Sequence, residues 1–495
     1  MRNLFYMSSI AMALIVAAAP RTAQGGQGEN GRFYDVVRPY EVTTIPETPQ
    51  FVPGQVIVRF GNVPSADVAA VKRTLGLKTI NQIPEAGVEL LSIESDLDVE
   101  AAVSALYEAG IVEYAEPNYL RYALRTPNDP RYDELYGLEK IEMPQTWDAR
   151  TMSDVVVAVV DSGGDWQHED LLDNTWINAG EDINRNGVFD QGDLNGRDDD
   201  GNGYVDDVVG YNFYNDSPIP FDSANRDMHG THVSGTIGAV GNNRTGITGV
   251  LWDVKIMRLK FIHGISGNDF DAAKAIRYAV DNGAQVINNS WGGRGSSTTI
   301  EEAVRYADQN DVVFVAAAGN EGNDNDRTGT YPANYPFDNV ISVAATDSRD
   351  RMPGFSNFGR TSVHVAAPGV GILSTVPDDQ YQALDGTSMA APHVSGVAAL
   401  LLAANSSLTP KRIREILIET SDPVSGLAGR VVANGRINVF RALTCALGGE
   451  CSGGPGPDPE PDPGGGCGVV GHRNPSGFFA LAALLFLVGW KWRRP

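Results

Sequence analysis

Cysteine is nearly missing from this chain: Cys445, Cys451 and Cys467 are the only three in 495 residues. None stands in the body of the chain beside a histidine, which excludes a papain-type thiol enzyme. Positive charge is short as well. Lysine and arginine number 38 against 62 acids, for a formal net charge of −24. Nucleic acid and an anionic membrane surface both call for basic patches, so neither is expected as a partner; solubility is the simplest role of the acidic excess. Long apolar runs are the third shortage. The two that stand out, residues 10–19 and 478–490, are each short for an unaided membrane span.

What is there is organised around Gly386-Thr387-Ser388-Met389-Ala390-Ala391-Pro392-His393. The serine stands at the mouth of an apolar, small-residue run, residues 394–404, of helical length and composition. A hydroxyl there has the free N–H groups of a helix start beside it, a favourable place for negative charge to develop. Taken alone, it reads equally as an ordinary serine N-cap. Its partners carry the case. Residues 155–160 are a β-branched run ending in Asp161-Ser162-Gly163, the pattern of a buried parallel strand delivering a carboxylate at its carboxyl end. Met228-His229-Gly230-Thr231-His232-Val233-Ser234-Gly235-Thr236 opens another small-residue helix. A nucleophilic serine needs a base for its proton and a buried acid to hold that imidazole in one tautomer. Asp161, His229 and Ser388 supply all three.

These motifs resemble the three signatures of the subtilisin-like serine proteases, the subtilases, in the chain order for which subtilisin is the standard example. The resemblance spans roughly residues 50–445. It implies an α/β fold, a doubly wound and mostly parallel sheet with helices on both faces, and a serine endopeptidase working through an acyl-enzyme. Alternation of strand-like stretches (155–160, 255–260, 285–288, 312–316, 340–344) with helical ones (272–282, 298–309) argues for the same sheet. The hydrophobic stretch that ends in Gly319-Asn320 resembles the family segment that donates to the oxyanion, which makes Asn320 one donor and the Ser388 N–H the second. Alone, Gly319-Asn320-Glu321-Gly322 is a turn. Asn289-Ser290-Trp291-Gly292-Gly293 looks like the wall of the pocket for the residue before the scissile bond. Gly264-Ile265-Ser266-Gly267 resembles the facing edge, with Ala318 and Gly319 beside it. A polypeptide substrate held as an added strand implies broad specificity. His229 and His232 lack the glutamate and spacing of a HEXXH zinc pair, so His232, like His393, is expected to be a packing residue.

One stretch breaks the α/β pattern. Nine acids lie between Glu181 and Asp207 against Arg185 and Arg197, and packed carboxylates want a cation. Asp182, Asn184, Asn186, Val188 (through its carbonyl), Asp190 and Asp193 have the oxygen spacing of a calcium loop, with Gly187 at its sharp turn and an aspartate where the last ligand is usually glutamate. Asp198, Asp200, Asn202, Tyr204 and Asp206 start a second copy whose twelfth position is Val209. A solvated acidic loop is the alternative. The family resemblance alone implies a third calcium site, with Asp170 and Asn243 as ligands. One to three structural Ca2+ ions are expected, and none takes part in catalysis.

The ends complete the layout. Residues 1–25 read as a signal peptide and 26–50 as a connector. Residues 51–122 read as an α+β unit (strands 55–60, 88–93 and 112–114; helices 65–75 and 98–109) whose ending resembles that of subtilase propeptides. Such a propeptide is an intramolecular inhibitor and folding aid. An unrelated binding domain is the alternative. The catalytic domain is expected over 126–445, a Gly/Pro-rich linker over 446–466, and a segment resembling Gram-negative C-terminal sorting signals over 467–495. The last implies sorting machinery as a partner and temporary anchoring at the membrane, against a permanent single-pass anchor. Cys445 and Cys451 can close a small disulfide, a pairing left open. The expected product is an exported monomer, secreted or at the cell surface. An α/β-hydrolase esterase would need the order Ser, Asp, His and Gly-x-Ser-x-Gly, and neither holds.

Overall fold

The structure, a computed structural model, describes residues 51–95, 97–119, 126–223 and 227–451. The expected signal peptide, connector and sorting segment, and the linker from 452 onward, lie outside the described residues.

The N-terminal unit runs β1 (Phe51–Phe60), α1 (Ser65–Leu75), β2 (Leu77–Ile83), β3 (Val88–Ile93), α2 (Val99–Glu108) and β4 (Val112–Tyr119). Its antiparallel sheet has the order β2-β3-β1-β4, and its core is built from Val56, Val58, Leu91, Ala102 and Leu106. Two features depart from the sequence reading. β2 was not expected: only Leu77 of its seven residues is buried, so it shows no apolar alternation. β4 runs on through Pro117 to Tyr119, which an edge strand tolerates because its outer N–H groups need no partner.

The second unit carries the large sheet. Its elements are α3 (Tyr136–Lys140), α4 (Met143–Ala149), β5 (Met152–Asp161), β6 (Gly210–Asn212), α5 (Met228–Gly238), β7 (Asp253–Lys260), α6 (Asp269–Asp281), β8 (Val286–Asn289), β9 (Gly293–Arg294), α7 (Thr298–Gln309), β10 (Val313–Ala317), β11 (Thr330–Tyr331), β12 (Val340–Thr346), β13 (Val365–Pro368), β14 (Ile372–Val376), β15 (Gln380–Leu384), α8 (Thr387–Ala404), α9 (Pro410–Glu419), β16 (Asp422–Pro423), β17 (Gly435–Arg436) and α10 (Val439–Ala446). Nine strands line up as β16-β17-β13-β12-β10-β8-β5-β7-β6, all parallel except the β16–β17 pair. The expected doubly wound, mostly parallel sheet is therefore present. Strand ends differ from expectation by one to three residues, as terminal residues usually do.

Both faces are covered, which is why the central strands read as unbroken apolar runs. On one face Ala158, Val160, Met257, Leu259, Ile287 and Phe314 pack against α6 and α7 through Ile276, Ala279, Ile300 and Val304. α8 lies across β5, β8, β10, β12 and β13, and fourteen of its eighteen residues are buried. The chain leaves β5, reaches the edge at β6, returns through β7, and crosses to β8 on the other side of β5. That reversal puts the carboxyl end of β5, where Asp161 stands, at the crevice where open α/β sheets hold their sites.

Candidate active site

Asp161 is the last residue of β5 and is fully buried. His229 is the second residue of α5, and its Nδ1 lies 2.7 Å from Asp161 Oδ1. The small residues of the histidine motif make this approach feasible. A Cβ on Gly230 would fall 1.8 Å from the Gly163 carbonyl oxygen, so only glycine lets α5 sit so close to the end of β5. The Gly230 N–H then donates to Ser162 Oγ, and Thr231 Oγ1 accepts from the Asp165 N–H and donates to the Asp227 carbonyl. Beneath this junction Lys260, essentially fully buried, donates to the Ser162 carbonyl (2.6 Å), Asp227 Oδ1 (2.6 Å) and the Ile262 carbonyl (2.8 Å). One ammonium thus ties the residue after Asp161 to the residue that caps the His229 helix.

The His229 side chain keeps 38 % of its surface open, toward a cleft of about 450 Å³ lined by Ser162, Met228, Gly264, Val376 and Gln382. Burial within the protein mass disfavours the imidazolium, but the charge of Asp161 and its hydrogen bond outweigh that and raise the His229 pKa above the ordinary 6.5. His232 is different. It is fully buried, its Nε2 lies within hydrogen-bonding distance of the Ile372 and Gln382 carbonyls, and burial pushes it down to about 4. It is a neutral link to the β14–β15 hairpin, a packing residue as expected. His393, on the Met389 carbonyl and also pushed to about 4, is likewise internal.

Ser388 is not an N-cap. Gly386 occupies the cap position of α8, and the Ser388 hydroxyl donates to the Ser290 carbonyl at 2.9 Å. Among the described residues no hydrogen bond joins it to His229. Pro392, inside the helix, lacks the N–H that would serve the Ser388 carbonyl four residues earlier, and the Ser290 hydroxyl donates there instead, at 2.9 Å. Asn320 follows β10. Its Oδ1 accepts both the N–H and the hydroxyl of Thr387, each at 2.9 Å, which leaves its Nδ2 hydrogens to face elsewhere. A Cβ built on Gly386 would lie 3.5 Å from the Ser388 nitrogen and 3.6 Å from Asn320 Nδ2. The two expected oxyanion donors therefore flank one small region of space.

The expected substrate-binding residues divide. Gly264 lines the His229 cleft. Trp291 and Gly292 line a neighbouring hollow of about 290 Å³ with Phe261, Ser266, Gly267 and Tyr331. The Trp291 indole N–H is anchored on the Val160 carbonyl. The Ala318 carbonyl is taken up by the Asn325 and Asn357 amides, and the Gly319 N–H by Thr387 Oγ1.

The two acidic loops share a fold. Asp182 accepts the Gly187 N–H and Asn186 accepts that of Val188; Asp198 accepts the Gly203 N–H and Asn202 that of Tyr204. Gly187 (φ 75°) and Gly203 (φ 93°) sit at the left-handed turn. In the first loop Asp190 accepts the amides of Asn184 and Asn186, and Asp193 the N–H groups of Ile183 and Asp190. The second differs: the Asp206 carboxylate turns to the N–H groups of Asn195 and Gly196, and Asp207 faces Asn202. At the third expected place Asp170 accepts the Asn243 amide and the Ile247 N–H. Burial, with Asp129 adding repulsion, pushes Asp170 up to about 6. Asp129, itself buried, receives the N–H groups of Asn242 and Asn243.

Sequence reasoning missed Asp129, Asp227 and Lys260. A lysine inside the apolar strand Asp253–Lys260 was the available signal for the last. Cys445 and Cys451 are joined as a disulfide.

Comparisons with known proteins agree with this fold. The subtilase family profile matches residues 152–442, and the fervidolysin N-terminal prodomain profile matches residues 38–118. The thermophilic serine proteinase of Bacillus sp. (strain AK1) is 38 % identical over 410 residues, 82 % of this chain and 90 % of that one. The extracellular protease of Xanthomonas campestris pv. campestris is 34 % identical over 411 residues, 77 % of this chain and 68 % of that one. The crystal structure of fervidolysin from Fervidobacterium pennivorans, titled a keratinolytic enzyme related to subtilisin, superposes with a TM-score of 0.52 at 29 % identity, covering 80 % of this chain and 62 % of that one. With more than half of its length matched, the chain belongs to the subtilase family of serine proteases and carries a fervidolysin-like N-terminal prodomain.

Proposed function

We propose that Ser388 is the nucleophile of this protease, His229 its general base, Asp161 the group that orients and charges the imidazole, and Asn320 with the Ser388 N–H the oxyanion donors. The observation that carries the reading is the 2.7 Å Asp161–His229 contact at the carboxyl end of β5, facing an open cleft. Rotation about the Ser388 Cα–Cβ bond frees its hydroxyl from the Ser290 carbonyl. His229 Nε2 takes the proton as Oγ bonds to the substrate carbonyl carbon, and the carbonyl oxygen gathers negative charge between the two donors. His229 then passes the proton to the departing amine as the C–N bond breaks. Water, deprotonated by the same imidazole, releases the acyl group.

The substrate is an extended polypeptide whose residue before the scissile bond rests against Ser290, Trp291 and Gly292, with Gly264 opposite and Ala318 and Gly319 beside it. Backbone pairing gives breadth of specificity. The product is exported, acts as a monomer, and is held inactive by residues 51–122 until it cleaves itself within the chain between about 121 and 129. Residues 467–495 anchor it for a time before sorting machinery releases it. Calcium ions on the acidic loops, and between Asp170 and Asn243, are structural; the oxygen-only donors suit that ion. Ser388→Ala tests the catalytic assignment: caseinolysis is lost and the proprotein stays uncut. A Ser388→Ala chain that still digests casein overturns it.

A further inference from the structure

The second acidic loop lacks an acid at its twelfth position, and the structure supplies one from another place. Glu181, which precedes the first loop, folds back on the second: its Oε1 accepts the N–H groups of Asp199 (2.6 Å) and Asp200 (3.1 Å). The Glu181 residue is fully buried, and its Oε2 has no hydrogen-bond partner. One carboxylate oxygen each from Glu181, Asp200 and Asp207 lies within 4.8 Å of the others. Among the described residues no lysine or arginine forms an ion pair with any of the three.

The surroundings are built to hold these acids together. Asp207, fully buried, accepts the Tyr278 hydroxyl and the amides of Asn178 and Asn202. Asp200 Oδ2 accepts the same two amides. A Cβ on Gly180 would stand 2.4 Å from the Asp200 Cβ and 3.0 Å from its Oδ2, so a glycine there is what admits the Asp200 carboxylate. Three converging negative charges, two of them sealed from water, are costly without a compensating cation, and an orphaned buried oxygen adds to that cost.

We propose that Glu181, Asp200 and Asp207 together bind one hard divalent cation of the calcium class, so that the ion clamps the start of the first acidic loop to the end of the second. This rests on the reading of the insertion as calcium-binding but assigns a different ligand set: Glu181 and Asp207 enter, and Asp206, committed to Asn195 and Gly196, leaves. Carboxylate donors with no nitrogen or sulfur select a hard ion, and a cage made largely by the protein favours calcium over magnesium. Tyr278 is on α6 and Asp207 stands just before β6, so the ion fastens the insertion to the body of the sheet.

The test uses the mature enzyme inactivated with phenylmethylsulfonyl fluoride, stripped with a chelator, and titrated with calcium chloride by calorimetry, with elemental analysis of the desalted protein. Glu181→Gln and Asp207→Asn each bind one calcium fewer, or bind that one at least about tenfold more weakly, the direction in which ligand charge tunes such sites. Glu181→Asp, which keeps the charge and shortens the arm, folds and shows the same weakening. Asp193→Asn in the first loop leaves this ion in place. Wild type that binds calcium, with Glu181 and Asp207 variants that bind the same number equally tightly, overturns this assignment while the wider calcium reading stands. Wild type that binds none overturns both.

Discussion

Ser290 and Ser388 exchange hydrogen bonds, the hydroxyl of each donating to the carbonyl of the other at 2.9 Å. The exchange exists because Pro392 deprives the Ser388 carbonyl of its helical donor. It fixes the Ser388 backbone while keeping its hydroxyl on the Ser290 carbonyl, so in the proposed mechanism the first motion is the turn of one side chain.

Thr387 holds Asn320 through its Oδ1, which leaves the amide hydrogens for the oxyanion role proposed for them. Asn320→Ala is expected to lower kcat by about 10²–10³-fold with little change in KM, the usual effect of losing one oxyanion donor. Steady-state kinetics on a peptide anilide checks it, and an equal rise in KM at unchanged kcat points to a role in substrate binding instead.

In the proposed mechanism His229 must be neutral to accept the Ser388 proton. Because its pKa is raised above 6.5, the acid limb of the kcat/KM profile falls above pH 6.5. In Asp161→Asn the two influences that raise it are gone and burial prevails, so the His229 titration seen by NMR moves below 6.5. The stability contributed by the charged pair is full below 6.5 and is lost as pH rises through the folded-state value.

Lys260 and Asp227 form an ion pair with both side chains at most 1 % exposed. Lys260→Met removes the buried ammonium that Asp227 Oδ1 and the Ser162 and Ile262 carbonyls share, and is expected to cost about 3–5 kcal/mol in urea unfolding. Lys260→Met with Asp227→Leu recovers part of that loss. Equal instability of the single and double variants contradicts the pairing account.

If the proposed calcium ions are bound, chelation is expected to lower the melting temperature and hasten self-digestion. Each ion present at about 100 times its Kd contributes about 2.7 kcal/mol. A melting temperature unmoved by excess chelator speaks against structural calcium.

The sheet was legible because its strands are buried on both faces and read as continuous apolar runs, as in Val155-Val156-Val157-Ala158-Val159-Val160. β2 was not, since six of its seven residues face water and carry no pattern. At the site, the motifs mark residues whose neighbours are sterically constrained, such as Gly230 against the Gly163 carbonyl. Asp129 and Asp227 escaped notice for the opposite reason. Each acts through partners far away in the chain or through the backbone, and an isolated acid leaves no local signature. The hydroxyl of Ser388 resting on Ser290 was also beyond reach, because a side-chain rotamer is set by packing that spacing does not encode.

The most direct measurement is covalent labelling of the mature protein with a fluorophosphonate, followed by mass spectrometry of its peptides. The account predicts one adduct, on Ser388, that disappears in Ser388→Ala and forms far more slowly in His229→Ala. An adduct on another residue, or labelling that His229→Ala leaves at its full rate, contradicts it.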